Sequence, residues 1–354
     1  VRPGSTDEVS RVLAECHATG QPVVLFGGLT GLVHGSVASA DEIALSLERM
    51  HRSESIDPIG RTMTVEAGVA VQRIQEEAEK HGLLYPVDFG ARGSAHIGGS
   101  AATNAGGNGV IRYGMTRESV LGLEAVLADG TVIPAMNRMI KNNAAYDVKQ
   151  LFIGTEGTLG VITRLVLRLR ESPRSTQSAL VACPTFTDVT RFLKHIDGAL
   201  GGSLSAFELM WNEFYRMVTT PPSKGTPPLP QTYDYYVLVE SAGGDPTRDQ
   251  AQFEEAIAAA IEAGLVVDAV VCSSETQRDA LWALRDDVEG FFRLGMPVAF
   301  DVSLPLAEME GYVTEVVGRL EREWPAYCRF VFGHLGDGNL HIIAAGPPSA
   351  EARH

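Results

Sequence analysis

Two histidines bracket the stretch HLGDGNLH, residues 334–341, with an Asp-Gly pair between them. A four-residue turn over 336–339 would pair Leu335 with Leu340 and set His334 opposite His341, where facing side chains stand about 5 Å apart at Cβ. Two imidazoles at that spacing can share one divalent ion, although the same pattern also fits a hairpin whose histidines merely flank its turn. Far upstream, LFGGLTGLVHGS, residues 25–36, packs four glycines behind an apolar run, with neither a P-loop lysine nor a GxGxxG spacing. Such a loop can still hold an anion through its backbone amides. A second tract, IGGSAATNAGGNGVIRYG, residues 97–114, has six glycines in eighteen positions. That much unadorned main chain is expected to lie close against something flat or charged, the alternative being a flexible surface loop.

These residues need elements to carry them. Ser5 and Glu8 form a capping box ahead of Val9, Val12, Leu13 and Cys16, and Gly20 stops that helix. PVVLF follows as a strand, which puts the first glycine loop at a strand's carboxyl end. TMTVEAG reads as a strand and 69–80 as a helix with Gly82 as its stop. LEAVLADGTVIP reads as a hairpin around Asp129 and Gly130, and GVITRLVLRLR as a closing strand. After residues 171–175 the character changes. Strands are expected near 178–183, 203–209, 233–241, 265–272, 298–304 and 329–333, with helices over 187–200, 246–263, 278–294 and 306–323. Antiparallel strands with helices on one face are the simplest packing for this half. A proline-rich stretch, 219–231, interrupts it.

The chain has 354 residues, 45% hydrophobic and 21% charged, enough for a large core divided into two domains. A formal net charge of -15 repels phosphate backbones, so nucleic acid is excluded as a partner class. An anionic small substrate would need local cations. Cys16, Cys183, Cys272 and Cys328 form no CxxC pair and read as reduced core thiols. No apolar run is long enough to span a membrane. The expected location is cytoplasmic, and a homodimer is left open.

The segments GGLTGLVHG, GSAHIGGSAATNAGG, IRYG, YDVKQLFIGTEGTLGVIT, LSAFELM, LWALRDDV, FDVSLP and GHLGDGNLH run in one order along nearly the whole chain. In these the sequence resembles the FAD-linked oxidases of the vanillyl-alcohol-oxidase (PCMH) type, and among them the D-2-hydroxy-acid dehydrogenases. The resemblance implies an α+β protein, with a PCMH-type FAD-binding domain over 1–172. An antiparallel, ferredoxin-like substrate and metal domain follows over 173–354. It implies that Gly27, Gly28, Leu29, Thr30, Gly31 and Leu32 cradle the FAD diphosphate. Pro86, Ser94, Gly98, Gly99, Thr103, Asn104, Gly106 and Gly107 would lie along the flavin, and Glu156, Gly157, Gly160, Val161 and Ile162 near the ribityl and adenosine part. Covalent members carry a histidine where Thr30 stands, so the FAD should be non-covalent, and His34 reads as a structural loop residue.

The resemblance also makes His334 and His341 ligands of Zn2+ or Mn2+, Arg285 the partner of the substrate carboxylate, and Asn339 a substrate-orienting group. Arg285 could instead form a helix-surface ion pair with Asp286 or Glu289. The implied reaction oxidises a D-2-hydroxy acid, a small-molecule substrate, with electrons leaving to an electron-transfer protein or quinone. The rival readings are a flavin-free metal-dependent hydrolase and a non-catalytic FAD-binding remnant. The family's Glu-His-Gly motif, with a third metal ligand and a proposed base, is absent from a chain that ends PPSAEARH. The chain therefore reads as a truncated piece, and His354 is not expected to substitute. Members acting on D-2-hydroxyglutarate are expected to carry lysine and threonine where this sequence has Ala299 and Glu289, so a monocarboxylic or apolar-tailed substrate is expected.

Overall fold

The computed structural model describes residues 1–31 and 33–346. They form two compact units, one spanning Val1–Ser172 and the other beginning at Pro173.

In the first unit, helix α1 (Thr6–Thr19) starts where the Ser5 side chain accepts from the Glu8 N–H, while Glu8 reaches back to the amide of Gly4. Gly20 ends it at φ 68°, in the left-handed region. Strands β1 (Val23–Phe26) and β2 (Ile43–Ser46) form a parallel pair. β3 (Ser53–Asp57) and β4 (Thr62–Glu66) precede α2 (Val71–Glu79) and the short β5 (Leu83–Leu84). Three short helices follow, α3 (Ile97–Ala102), α4 (Val110–Tyr113) and α5 (Thr116–Ser119). β6 (Val120–Val126) and β7 (Val132–Ala135) make the expected hairpin, and β8 (Val161–Arg168) and β9 (Arg170–Glu171) close the unit. The main sheet is antiparallel in the order β3-β4-β8-β6-β7. Its core includes Met63, Val65, Leu123, Ala125, Leu165 and Leu167, packed with Ile74 of α2 and Ile97 of α3.

The second unit opens β10 (Ser175–Cys183), α6 (Phe186–Leu200), β11 (Leu204–Trp211), α7 (Asn212–Thr219), β12 (Tyr235–Gly243), α8 (Pro246–Glu262), β13 (Asp268–Val271). With order β13-β10-β12-β11, this is the ferredoxin-like β-α-β-β-α-β arrangement. α9 (Glu275–Arg285) and α10 (Leu306–Glu323) then alternate with β14 (Met296–Ser303), β15 (Cys328–Gly333) and β16 (Asn339–Gly346). These three strands extend the sheet beyond β11 to seven, with β14 at the far edge.

Three expectations change here. Helices lie on both faces of the sheet: Phe207 of β11 meets Phe192 of α6, while Phe332, paired with the alternate-face Met210, stacks on Phe214 of α7 at 4.1 Å. The helix expected over 278–294 begins earlier, because Ser274 caps it, and stops at Arg285. Asp286 and Asp287, both poor interior helix residues, break it, and a separate 3₁₀ turn runs Val288–Arg293. Of the four thiols, Cys16 and Cys183 are core residues; Cys272 is half-buried and Cys328 exposed, all four being free.

Candidate active site

In the first unit three glycine stretches that are distant in sequence interlock at the end of β1. After Phe26 the chain turns through Gly27, Gly28 and Leu29, the last at φ 55°. A Cβ on Gly28 would lie 1.9 Å from the carbonyl oxygen of Ser94, and one on Gly27 3.7 Å from Gly99 Cα. Gly157, at φ 82°, packs against Leu25 so closely that a Cβ would meet its Cδ1 at 2.3 Å. The 154–157 turn hangs from α3: the Gly154 and Glu156 amides donate to the carbonyls of Ala101 (3.1 Å) and Ala102 (2.8 Å). Asn104, at φ 50°, accepts from the Arg117 amide, and the Arg117 guanidinium holds the carbonyl of Ile153.

Open space lies beside Gly31 and Gly99, where a Cβ would meet nothing within 4 Å. Leu29, Gly31, Ser94 and Thr103 are exposed, and Thr30, Asn104, Gly106 and Gly107 half-buried. Glu156 is exposed and Gly157 half-buried. Leu32 lies outside the described residues. By contrast Pro86, Gly98, Gly160, Val161 and Ile162 are buried in packed chain. Val161 and Ile162 pair with Val126 and Ala125 inside the sheet, so they shape the cradle from behind. His96 was not singled out by its sequence context. Its Nδ1 is buried without a hydrogen-bond partner among the described residues, beside Gly27, and burial depresses its pKa. Close-packed backbone with open space beside Gly31 and Gly99 and an unsatisfied imidazole nitrogen is suited to a polar, flat ligand.

In the second unit, the histidine turn differs from the expected hairpin. Phe332, not His334, pairs with His341, so the register is displaced by two residues and the loop is longer. Gly333 at φ 147° ends β15, and His334 leads into a 3₁₀ turn, Leu335–Asp337, closed by Gly338 at φ 85°. The two rings nevertheless meet edge to face, with centroids 5.3 Å apart. Each has a carboxylate near Nδ1: Glu208 at 2.7 Å from His334, Asp301 at 3.6 Å from His341. Asn339 is engaged within the sheet, its amide donating to Asp301 (2.5 Å) and Ser303 (3.2 Å).

Arg285 is 7% exposed at the end of α9. Its Nε donates to Glu208 at 2.8 Å, and Nη1 lies 3.4 Å from Asp286; the alternative ion pair with Asp286 is thus present, beside a shorter, buried one with Glu208. Nη2 sits 3.4 and 3.2 Å from the two ring nitrogens of His334, nearly equidistant, so the guanidinium lies against the imidazole. Burial works to raise the Glu208 pKa, but Arg285 and His334 outweigh it and hold the group down at about 2. Burial works to lower His334, and Glu208 reverses that, raising it. Glu208 was missed, yet a lone carboxylate in the apolar strand LSAFELM was a signal: such a group stays charged only when a cation meets it.

Residues 1–135 match the FAD binding domain model, and residues 172–354 the C-terminal domain model of FAD linked oxidases. A D-2-hydroxyglutarate dehydrogenase of Xanthomonas citri pv. viticola is 38% identical over 345 residues, covering 98% of this chain and 72% of that protein. The chain belongs to the FAD-linked oxidase family. Mitochondrial D-2-hydroxyglutarate dehydrogenase of Bos taurus is 40% identical over 344 residues, 97% of this oxidase chain and 62% of the relative. The chain thus spans about three fifths of the length of that curated relative. Among solved structures, p-cresol methylhydroxylase with substrate bound superimposes with a TM-score of 0.75 at 15% identity, covering 98% of this chain and 74% of that one. An alkyldihydroxyacetonephosphate synthase reaches 0.78 at 16% identity, covering 99% and 68%.

An FAD-binding domain removes the ground for a flavin-free hydrolase, and the open, amide-rich cradle fits the FAD that such a domain takes. The metal is a different matter. Among the described residues no group of three or more His, Cys, Asp or Glu is placed to hold an ion. His334 and His341 supply two nitrogens, and His354 lies outside the described residues. No helix among the described residues is long and apolar enough to cross a membrane.

Proposed function

We propose that this FAD-linked oxidase oxidises a D-2-hydroxy acid to the 2-oxo acid, as part of a protein that passes the electrons to an electron-transfer protein or quinone. Bound FAD supplies the acceptor for the hydride leaving C2. The observation that carries the reading is the meeting of Arg285, His334 and His341 in one place. The end of the Arg285 guanidinium, with Nη1 3.4 Å from Asp286 and Nη2 against the His334 ring, has its N–H groups at the spacing of the two oxygens of a substrate carboxylate. Because the guanidinium is nearly buried, that pairing is little weakened by water. With a substrate carboxylate on Arg285, the adjacent imidazoles would be the groups that hold or pass the C2 hydroxyl proton.

His334 and His341 are also the residues that would hold a Zn2+ or Mn2+, the His334 ring oriented through Nδ1 by Glu208 at 2.7 Å, and that of His341 with Asp301 3.6 Å away. Such an ion would supply positive charge that acidifies the hydroxyl. Two nitrogens make a weak site, so the ion needs a further ligand from outside the described residues.

We further propose a monocarboxylic or apolar-tailed substrate. Ala299 lies on β14 two residues from Asp301, hence on the same face as the Asp301–His341 pair, and offers no cation for a second carboxylate. Glu289, exposed on the 3₁₀ turn, would repel one. Free thiols support a reducing compartment such as the cytoplasm. Reduction of a dye by D- and L-2-hydroxy acids, with the intact natural protein carrying FAD, tests the reading: D-acids should bleach the flavin and L-acids should not. Failure of every 2-hydroxy acid to do so overturns it.

A further inference from the structure

Glu208 lies 126 residues before His334 and 77 before Arg285, yet its two oxygens are divided between them: Oε1 to His334 Nδ1 at 2.7 Å, Oε2 to Arg285 Nε at 2.8 Å. We propose that Glu208 is a positioning residue, which fixes His334 with its proton on Nδ1 and Nε2 bare, and at the same time sets the Arg285 guanidinium edge. This rests on the reading of the site given above.

The argument is one of geometry. Glu208 is 1% exposed, on a strand in the middle of the sheet, so it has little freedom to move and no water to share its charge. A carboxylate can only accept, so the Nδ1 facing it must carry the hydrogen. That leaves Nε2 as the lone-pair nitrogen, the form needed both by a proton acceptor and by a metal ligand. The Arg285 Nε–H is spent on the other oxygen, which fixes the guanidinium with Nη2 against the His334 ring, 3.2 Å from Nε2, and Nη1 beside Asp286 at 3.4 Å. A single buried group therefore sets the hydrogen placement of one reactive side chain and the direction of another.

A purely structural role is the alternative, and Glu240 provides its internal control. Glu240 is also buried on the same face, and accepts from Ser178, Arg278 and Trp282 without touching either imidazole. The test uses the intact natural protein with its FAD. Nitrogen NMR of 15N-histidine, with the His334 signal assigned from a His334→Gln variant, reads the tautomer at a pH above the ring's own raised pKa. The wild type should carry the proton on Nδ1. Glu208→Gln should give mixed tautomers, retain FAD, and lose Zn2+ affinity by about 10- to 100-fold in a direct titration with the metal alone. Glu208→Asp should recover part of that loss. Glu240→Gln should lower thermal stability and leave the tautomer unchanged.

A wild-type His334 protonated on Nε2 overturns the proposal, and so does a Glu208→Gln variant with unchanged tautomer and Zn2+ affinity. If Glu208→Gln does not fold, the wild-type tautomer still decides. A protein with the Nδ1 tautomer that oxidises no 2-hydroxy acid would sink the proposed function alone.

Discussion

Gly28 and Ser94 touch backbone to backbone: a methyl group on Gly28 would sit 1.9 Å from the Ser94 carbonyl oxygen, a main-chain atom that cannot step aside. Gly28→Ala must therefore push the glycine loop away from the backbone of Ser94 and Ala95. The cost should be on the order of 1–3 kcal/mol, as for other overpacked sites. FAD content per chain and the melting temperature of the intact protein should both fall, whereas Gly31→Ala, where there is open space, should leave the melting temperature of the FAD-free protein unchanged.

Removing the cation from the buried pair should hurt more than removing surface pairs. Arg285→Met removes the cation from buried Glu208 and leaves it only the His334 ring, which is expected to cost about 3–5 kcal/mol. Arg319→Met, whose pair with Glu323 is exposed, should change stability by less than about 1 kcal/mol. Denaturant unfolding of the two variants compares them directly, and in Arg285→Met the KM for the 2-hydroxy acid should rise as well.

Tyr85 is buried in the first unit with its hydroxyl unpartnered, and burial raises its pKa above the ordinary 10.0. A raised folded pKa gives stability that is whole below the unfolded value and is lost as pH rises toward the folded one. Stability should thus decline above about pH 10 as unfolded chains ionise the phenol more readily. Tyr85→Phe removes both the orphaned hydroxyl and this ionisation; it should raise neutral stability by about 1–2 kcal/mol and flatten the alkaline decline in a melting-temperature profile.

Charge at residue 289 should govern the preference between mono- and dicarboxylic substrates. Glu289→Lys replaces a repulsion by a charge-assisted bond, each worth on the order of 1.5–3 kcal/mol when formed. An increase of roughly tenfold in kcat/KM on D-2-hydroxyglutarate is expected, with little change on D-lactate. Steady-state kinetics on the two acids measure it, and no gain on the dicarboxylate counts against the assignment.

Local signals in the sequence were readable because they are local. Ser5, Glu8 and Gly20 delimit α1 without help from the rest of the molecule, and alternating strand and helix stretches were readable after 175, whereas the ferredoxin-like order was implied by the resemblance. The histidine turn was misjudged by two residues, since register depends on how Gly333 and the 3₁₀ turn are accommodated; a slip of two keeps side chains on the same face, so the rings still met. Glu208 escaped notice because its partners lie 77 and 126 residues away, and nothing in a linear pattern tells which cation reaches a buried carboxylate. The joining of 27–28, 94–99 and 154–157 is invisible for the same reason.

Helix α9 is fastened to the sheet at two places: Arg278 and Trp282 on Glu240, and Arg285 on Glu208, three side chains spaced by four and three residues along one stripe. A rod pinned twice can neither roll nor slide, so the guanidinium at its tip inherits the stiffness of the β-strands. Change among descendants of this scaffold is thereby channelled elsewhere. Residues 289 and 299, exposed on a turn and on the sheet's edge strand and outside that stripe, can change their side chains without disturbing the helix.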